Sequence, residues 1–468
     1  MTEKLSAKDR MSIDRVKMPE QDPRDRIRNF NEVNLGLAEW AAVQEARRCL
    51  QCRNRPCVAG CPVAVRIPEM LEAVADGDFA TAADILQADN ALPATTGRVC
   101  PQEQQCEGVC IRGKKGDSVA IGWIERFVAD WAAQNAEPTA PPAEKTGFKV
   151  AVVGSGPGGL TAAGELARLG HDVTVFEALH APGGVLRYGI PEFRLPKDIV
   201  DREVENLRAM GVKIECNVIV GKTVTIDEIN ERFDACFIAN GAGLPIFLNL
   251  PGENLKGVYS ANEYLTRVNL MRAYEDRPGG TPIARGAVSM IFGGGNTAMD
   301  AVRTSKRLGS ERAIIAYRRS REEMPARAEE IKHAEEEGIE FMFLVSPLEF
   351  LGDSEGWLRA VRLQRMELGE PDDSGRRRPV PVEGSEFEVP CQLGILAIGT
   401  RANPLLTGTV SSLELGRKGN IVTDENHMTS IPGVFAGGDI VRGGATVILA
   451  MGDGKDAARN IDEYLKDK

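Results

Sequence analysis

Twice in this chain a short apolar run breaks into glycines and restarts as a helix. The first passage is Lys149-Val-Ala-Val-Val-Gly154-Ser-Gly156-Pro-Gly-Gly159, and the second is Val288-Ser-Met-Ile-Phe-Gly293-Gly-Gly295-Asn296-Thr297-Ala298. A strand that turns so sharply into a helix favours a parallel sheet, because the helix carries the chain back across one face before the next strand pairs. The same turn gathers free backbone N–H groups and the positive end of a helix at one point, which suits a phosphate. The pattern predicts an α/β protein built from two Rossmann-like dinucleotide-binding units.

The two units are expected to be nested. Each glycine turn has a later apolar strand ending in small residues, Phe237-Ile-Ala-Asn-Gly241 for the first and Leu396-Ala-Ile-Gly399-Thr400 for the second. Such strands suit crossings between units. The second unit, 287–390, is therefore placed as an insertion in a first unit made of 148–286 and 391–468. Upstream, 136–147 is rich in Pro, Ala and Thr and reads as a linker. Residues 1–135 have helical apolar spacing over Ala38–Leu50, Ile67–Ala75, Phe79–Ala88 and Val119–Ala133, which predicts an all-α domain.

The residues after each turn separate the two ligands. The strand His171–Glu177 ends in an acid about twenty residues beyond the first turn, where a ribose 2′-OH partner belongs. That carboxylate would repel a 2′-phosphate, so the first site fits FAD or NAD. The segment Thr429–Asp439, ending Gly-Gly-Asp439, is similar to the second fingerprint of two-dinucleotide-domain flavoproteins and favours FAD. The second turn is followed by Arg312–Arg319, which puts Arg318 and Arg319 where an NAD site carries an acid. Guanidinium groups bind phosphate bidentately, so this site fits NADP(H).

Seven of the ten cysteines precede residue 111, as Cys49-x2-Cys52-x4-Cys57-x3-Cys61-Pro62 and Cys100-x5-Cys106-x3-Cys110. Thiolates so spaced can converge on one small object. Disulfides, structural zinc and iron–sulfur clusters are the three readings. Disulfides suit a reducing compartment poorly. No histidine precedes residue 171 to complete a zinc site. The Cys-Pro ending resembles bacterial ferredoxins, which favours iron–sulfur clusters, and seven thiolates are one short of what two cubanes need. Cys216, Cys236 and Cys391 fall on strand-like stretches and read as structural.

A net charge of −11 argues against nucleic acid or an anionic membrane as the main partner. No apolar run is long enough for a membrane span, and the first residues lack the apolar core of a secretory signal. A cytoplasmic protein is expected.

Cys49–Pro62, Gly97–Pro101, Cys106–Cys110, Ile121–Glu125, Gly183–Pro191, Tyr317–Pro325 and Phe435–Gly443 together resemble the glutamate synthase small-subunit family. The resemblance implies two [4Fe–4S] clusters on a helical domain, followed by FAD and NADP(H) domains. It implies Cys49, Cys52, Cys57 and Cys110 as ligands of one cluster. Cys61, Cys100 and Cys106 would hold the other, with Glu125 standing at the family's non-cysteine position. The FAD site expected takes in Gly154, Gly156, Gly159, Glu177, Gly184, Arg187, Gly241, Asp439 and Thr446. The NADP(H) site takes in Gly293, Gly295, Asn296, Thr297, Arg318 and Arg319. Arg187, on the loop that borders the flavin in this family, is expected to tune the flavin by its charge.

The implied chemistry is hydride exchange between NADP(H) and FAD, then single electrons through the clusters. No glutaminase machinery is visible, so a partner is expected. Gly399–Leu406 and Gly444–Gly452 are similar to the ferredoxin-linked branch of the family. There the partners are ferredoxin and a smaller NAD-linked FAD and iron–sulfur flavoprotein, with electron bifurcation at the flavin. The alternatives are a large glutamate synthase subunit as partner, or a non-catalytic electron-wiring role.

Overall fold

A computed structural model of the protein describes residues 5–135, 144–275, 277–372 and 375–468. Most of the proposed linker, 136–143, lies outside the described residues. Before it, the chain is helical, with Glu39–Ala46, Ile67–Asp76, Phe79–Asp89, Pro93–Val99 and Ile121–Asn135 as the principal helices. The helix expected over Ala38–Leu50 stops at Ala46. Just beyond it the backbone tightens into Arg48 N–H to Glu45 O at 3.1 Å and Cys49 N–H to Ala46 O at 3.0 Å, while the buried Arg48 guanidinium donates to Ser118 O at 2.9 Å, Asp117 O at 2.9 Å and Ile13 O at 3.2 Å.

Two five-stranded parallel sheets follow. The first runs in the order Val434–Ala436, Ala235–Ile238, Lys149–Val153, Asp172–Phe176, Lys213–Glu215. Its four apolar strands are buried on both faces, as parallel strands between helical layers must be. The second runs Val258–Ser260, Leu393–Leu396, Val288–Phe292, Arg312–Tyr317, Glu340–Phe343. An antiparallel sheet made from Val345–Gly352, Leu358–Pro371, Arg377–Pro381 and Phe387–Pro390 is attached to it.

The nesting is present, but its borders differ from 287–390. Val258–Ser260 and Leu393–Leu396 both pair within the second sheet. The helix Ala261–Asn269 packs its Ala261, Tyr264 and Val268 into that sheet's core. The boundary is the small antiparallel ladder of Leu244–Pro245 against Thr400–Arg401, where the chain enters and leaves the insertion side by side.

The helical region is not a separate bead. One continuous apolar core joins Ala46, Ile67, Leu92 and Ile124 to Val150, Val152 and Leu160 of the first sheet and its helix. The long C-terminal helix Val447–Lys466 closes this core against Pro157–Arg168. The two backbones come so close that a Cβ on Gly454 would stand 2.2 Å from Gly158 O. Glycine is required there.

Candidate electron-transfer site

The cysteine loop Cys49–Cys61 is held in an unusual backbone path. Gln51 and Arg55 within it, and Ala64 just after, have φ of 51°, 43° and 54°, a left-handed region that costs a side-chain-bearing residue free energy. The thiols along this path lie within one another's electrostatic field. Burial pushes the Cys49 thiol up to about 12, and Cys57, Cys110 and Cys52 add to the effect as neighbouring thiolates. Burial likewise raises Cys57 to about 11, with Cys110 and Cys52 contributing. Thus Cys49, Cys52, Cys57 and Cys110 lie within electrostatic reach of one another.

A second group forms behind the first. Cys100 closes the helix Pro93–Val99, and Glu125 lies on the first turns of Ile121–Asn135. Burial raises the thiols of Cys61, Cys100 and Cys106, and for each of them Glu125 is the largest charged contributor. Glu125 itself is 5% exposed, and burial first, then Glu107, pushes its carboxyl up to about 8. The neighbouring Arg126 does not neutralise it, since that guanidinium turns to Glu32 at 3.1 Å and Asp130 at 3.4 Å. Glu125 is therefore not an ordinary surface residue. A bound cation or metal cluster would relieve a carboxylate buried in this way.

The sulfur spacing bears on what could sit there. Four thiolates on one zinc ion, at ~2.3 Å each, would stand about 3.8 Å apart. Among the described residues, neither cysteine group has three ligand atoms within 4.8 Å of one another. Glu20, Glu329 and His333 do reach that closeness. There, however, Lys332 lies 3.3 Å from Glu20, Arg26 lies 3.6 Å from it, and Arg327 lies 3.1 Å from Glu329. That group is an ion-pair cluster. The cysteine groups are too open to close on a single ion as they stand.

The first glycine turn is locked from within. A Cβ on Gly159 would lie 1.9 Å from Gly154 O, so a side chain there would break the turn. Gly156, at the helix N-cap, faces open space. Glu177 stands where expected, at the end of Asp172–Phe176, and it also braces the turn. It accepts from Ser155 N–H at 3.0 Å, from the Ser155 hydroxyl, and from Leu179 N–H at 2.8 Å. A carboxylate has about four acceptor positions, which leaves one for a ribose hydroxyl.

Gly184 rests on Gly156, and Gly241 lies just beyond the strand Ala235–Ile238, next to the central Lys149–Val153. Asp439 begins a short helix at the end of Val434–Ala436, and burial pushes its carboxyl up to about 6. Thr446 caps the C-terminal helix by accepting from Leu449 N–H at 3.3 Å. Tyr188, which sequence reading had not singled out, is pushed up to about 12 by burial, then by Asp439 and Glu177. Both acids thus act on the Tyr188 hydroxyl through their charge. Ser155 was missed as well, although its place between the first two glycines was the available signal.

Arg187 is committed elsewhere. Its Nε donates to Pro182 O at 2.8 Å and its guanidinium pairs with Asp201. It laces the Gly183–Pro191 loop to the helix Lys197–Ala209.

At the second turn, Gly293 and Gly295 lead into the helix Asn296–Arg307, with Thr297 exposed at its start. The two expected arginines part company. Arg319 is buried, donating to Arg377 O at 2.8 Å and Asp372 at 2.6 Å. Arg318 is exposed, and among the described residues it makes no side-chain hydrogen bond or ion pair. Only Arg318 of the two is free to meet a phosphate.

Residues 26–137 match the family model described as dihydropyrimidine dehydrogenase domain II, 4Fe-4S cluster, and residues 148–454 match pyridine nucleotide-disulphide oxidoreductase. The glutamate synthase [NADPH] small chain of Escherichia coli is 38% identical over 463 residues, 97% of this chain and 98% of its own. The chain belongs to the glutamate synthase small-subunit family.

The beta subunit of NADP(+)-dependent formate dehydrogenase from Moorella thermoacetica is 40% identical over 88% of this chain, which spans 60% of that protein's length. Among solved structures, FprA from Mycobacterium tuberculosis in complex with NADPH shares the fold of the nested units. Its TM-score is 0.57 at 23% identity, over 68% of this chain and 85% of FprA. Family membership makes the chain an oxidoreductase with FAD, NADP(H) and 4Fe-4S as its cofactors. Among the described residues no helix is long and apolar enough to cross a membrane.

Proposed function

We propose that this chain is the NADPH-linked electron-input subunit of a larger complex. The observation that supports this reading is that Cys49, Cys52, Cys57 and Cys110 influence one another's titration, as Glu125 does that of Cys61, Cys100 and Cys106, on a core continuous with the first glycine turn. Bound, the FAD would exchange hydride with NADP(H), and two [4Fe–4S] clusters would carry single electrons. The chain's own residues supply position and field. Ser155, Glu177 and Asp439 hold the flavin nucleotide, and Arg318 selects the 2′-phosphate. Glu125 completes the second cysteine group.

The partner supplies the final acceptor. The near-complete overlap with the E. coli small chain favours a large glutaminase/FMN subunit. The likeness of Gly399–Leu406 and Gly444–Gly452 to the ferredoxin-linked branch favours a second reading. In that reading electrons are shared by bifurcation between ferredoxin and a smaller NAD-linked flavoprotein. The test is anaerobic purification of the native complex, with metal analysis and NADPH titration. The proposal expects about eight iron and eight sulfide per chain and bleaching of the flavin by NADPH. Zinc in place of iron, or a flavin indifferent to NADPH, would refute it. The size and flavin of the co-purifying partner decide between the two acceptors.

A further inference from the structure

Arg327 bridges the second nucleotide unit and the cysteine region. It stands at the N-cap of the helix Ala328–Glu336 and is 5% exposed. Its backbone N–H donates to Asn296 Oδ1 at 2.9 Å, and Asn296 opens the helix behind the second glycine turn. Its guanidinium reaches the other way. It donates to Arg98 O at 3.3 Å and Gln102 Oε1 at 3.0 Å, and it meets Glu103 Oε1 at 3.4 Å and Glu329 Oε2 at 3.1 Å. Arg98, Gln102 and Glu103 flank Cys100, whose thiol senses Arg327 as a nearby cation. One residue thus has its main chain on the nucleotide side and its charge on the sulfur side.

We propose that Arg327 is a positioning residue through which occupancy of the nucleotide site at Asn296 sets the reduction potential of the group held by Cys61, Cys100, Cys106 and Glu125. The inference rests on the functional reading above, which assigns a nucleotide to one end and a cluster to the other.

The physical basis is charge and tether. A one-electron reduction adds negative charge, which a buried cation favours and solvent screens poorly. Glu103 and Glu329 offset much of the Arg327 charge, so small movements of the guanidinium between them and Cys100 alter the field at the cysteines. Asn296 Oδ1 fixes the backbone from which that guanidinium extends. A nucleotide phosphate docking at the helix start would accept from Asn296 Nδ2, reorienting the amide whose Oδ1 holds the Arg327 N–H, and so would change the tether. Linkage then requires the converse: the redox state of the cluster must change nucleotide affinity by the same factor.

The test is an EPR-monitored redox titration of the holoenzyme with and without 2′-phospho-ADP-ribose, a redox-inert part of NADP. In the wild type, saturation with this probe should shift the midpoint of one iron–sulfur signal by a tenfold change in reduced-to-oxidised ratio, about 59 mV for one electron. The other signal should stay put. Arg327→Gln should lower the resting midpoint of that same signal and abolish the shift. Arg327→Lys keeps the charge but cannot span Arg98 O and Gln102 Oε1 together, so it should retain more of the resting midpoint and still lose the shift.

A merely structural strut would lower thermal stability and leave the nucleotide-linked shift intact, which would overturn the proposal. Absence of a shift in the wild type would do the same. Should the variants fail to fold, the affinity of wild-type protein for the probe decides: about tenfold different between oxidised and reduced states supports the coupling, and equal affinities overturn it. A wild-type protein that lacks iron–sulfur signals or does not bind the probe would overturn the functional reading, and this inference with it.

Discussion

The carboxylate of Glu203 is a buried polar tie between the first nucleotide unit and the cysteine region, and its removal has a calculable effect. Glu203 lies on the helix Lys197–Ala209 and accepts from Ala94 N–H at 2.8 Å, Thr95 N–H at 3.1 Å and the Thr95 hydroxyl. These donors open the helix Pro93–Val99, which ends at Cys100. Both residues are buried. Glu203→Ala would orphan two backbone N–H groups at ~1–3 kcal/mol each, and relaxation should leave a net cost of about 2–4 kcal/mol. That corresponds to roughly 30- to 900-fold faster amide exchange in this helix.

Glu203→Gln should behave oppositely, because its amide can accept both N–H bonds and donate to the Thr95 hydroxyl. Burial pushes the Glu203 carboxyl up to about 7 from its ordinary 4.5. Between those values the folded protein holds a proton that the unfolded chain has released, so stability falls as pH rises through that window. The full loss, on the order of 3 kcal/mol, is felt above pH 7. Glu203→Gln should therefore match or exceed the wild type in Tm at pH 8, and the gap should close toward pH 5. The assay is hydrogen-exchange mass spectrometry over residues 93–99 together with melting at both pH values. Unchanged exchange in Glu203→Ala, or a Glu203→Gln variant that melts lower at pH 8 than at pH 5 relative to wild type, would refute the reasoning.

Gly159→Ala puts a methyl 1.9 Å from Gly154 O and should cut flavin content per chain more than tenfold, read from the flavin absorbance of purified protein. Arg318→Ala should raise the KM for NADPH roughly tenfold through loss of ~1–2 kcal/mol of charged contact while leaving NADH kinetics unchanged. Arg319→Ala should lower Tm and leave the NADPH-to-NADH preference alone, because its partners are Asp372 and Arg377 O.

The local signals in this chain were legible because they rest on short-range geometry. Glycine turns, the acid after the second strand, and cysteine spacing all sit within a few residues of what they organise. The assignment of Cys110 to the group of Cys49 came from the family resemblance alone, because nothing short-range pairs the two residues. What escaped sequence reading was non-local. Val258–Ser260 is three residues long and joins its sheet through Leu393–Leu396, so its membership is decided more than a hundred residues away. Arg318 and Arg319 look equivalent as letters, but successive residues at a strand end point to opposite sides, and one went inward. Arg327 gave no signal because its partners, Arg98 and Gln102, lie over two hundred residues upstream.

The ladder at Leu244–Pro245 and Thr400–Arg401 also fixes an order of assembly. Every strand of the second sheet has left the ribosome before the first sheet receives Val434–Ala436. Until then Ala235–Ile238 keeps an unpaired edge, and the groove over Gly158 lacks the helix that fills it. The inserted unit can complete itself during synthesis, while the unit that surrounds it waits for a strand and a helix from the far end of the chain. The site proposed for the flavin is thus begun first and closed last. For this architecture, capture of FAD reports that the two separated halves of the outer unit have found each other.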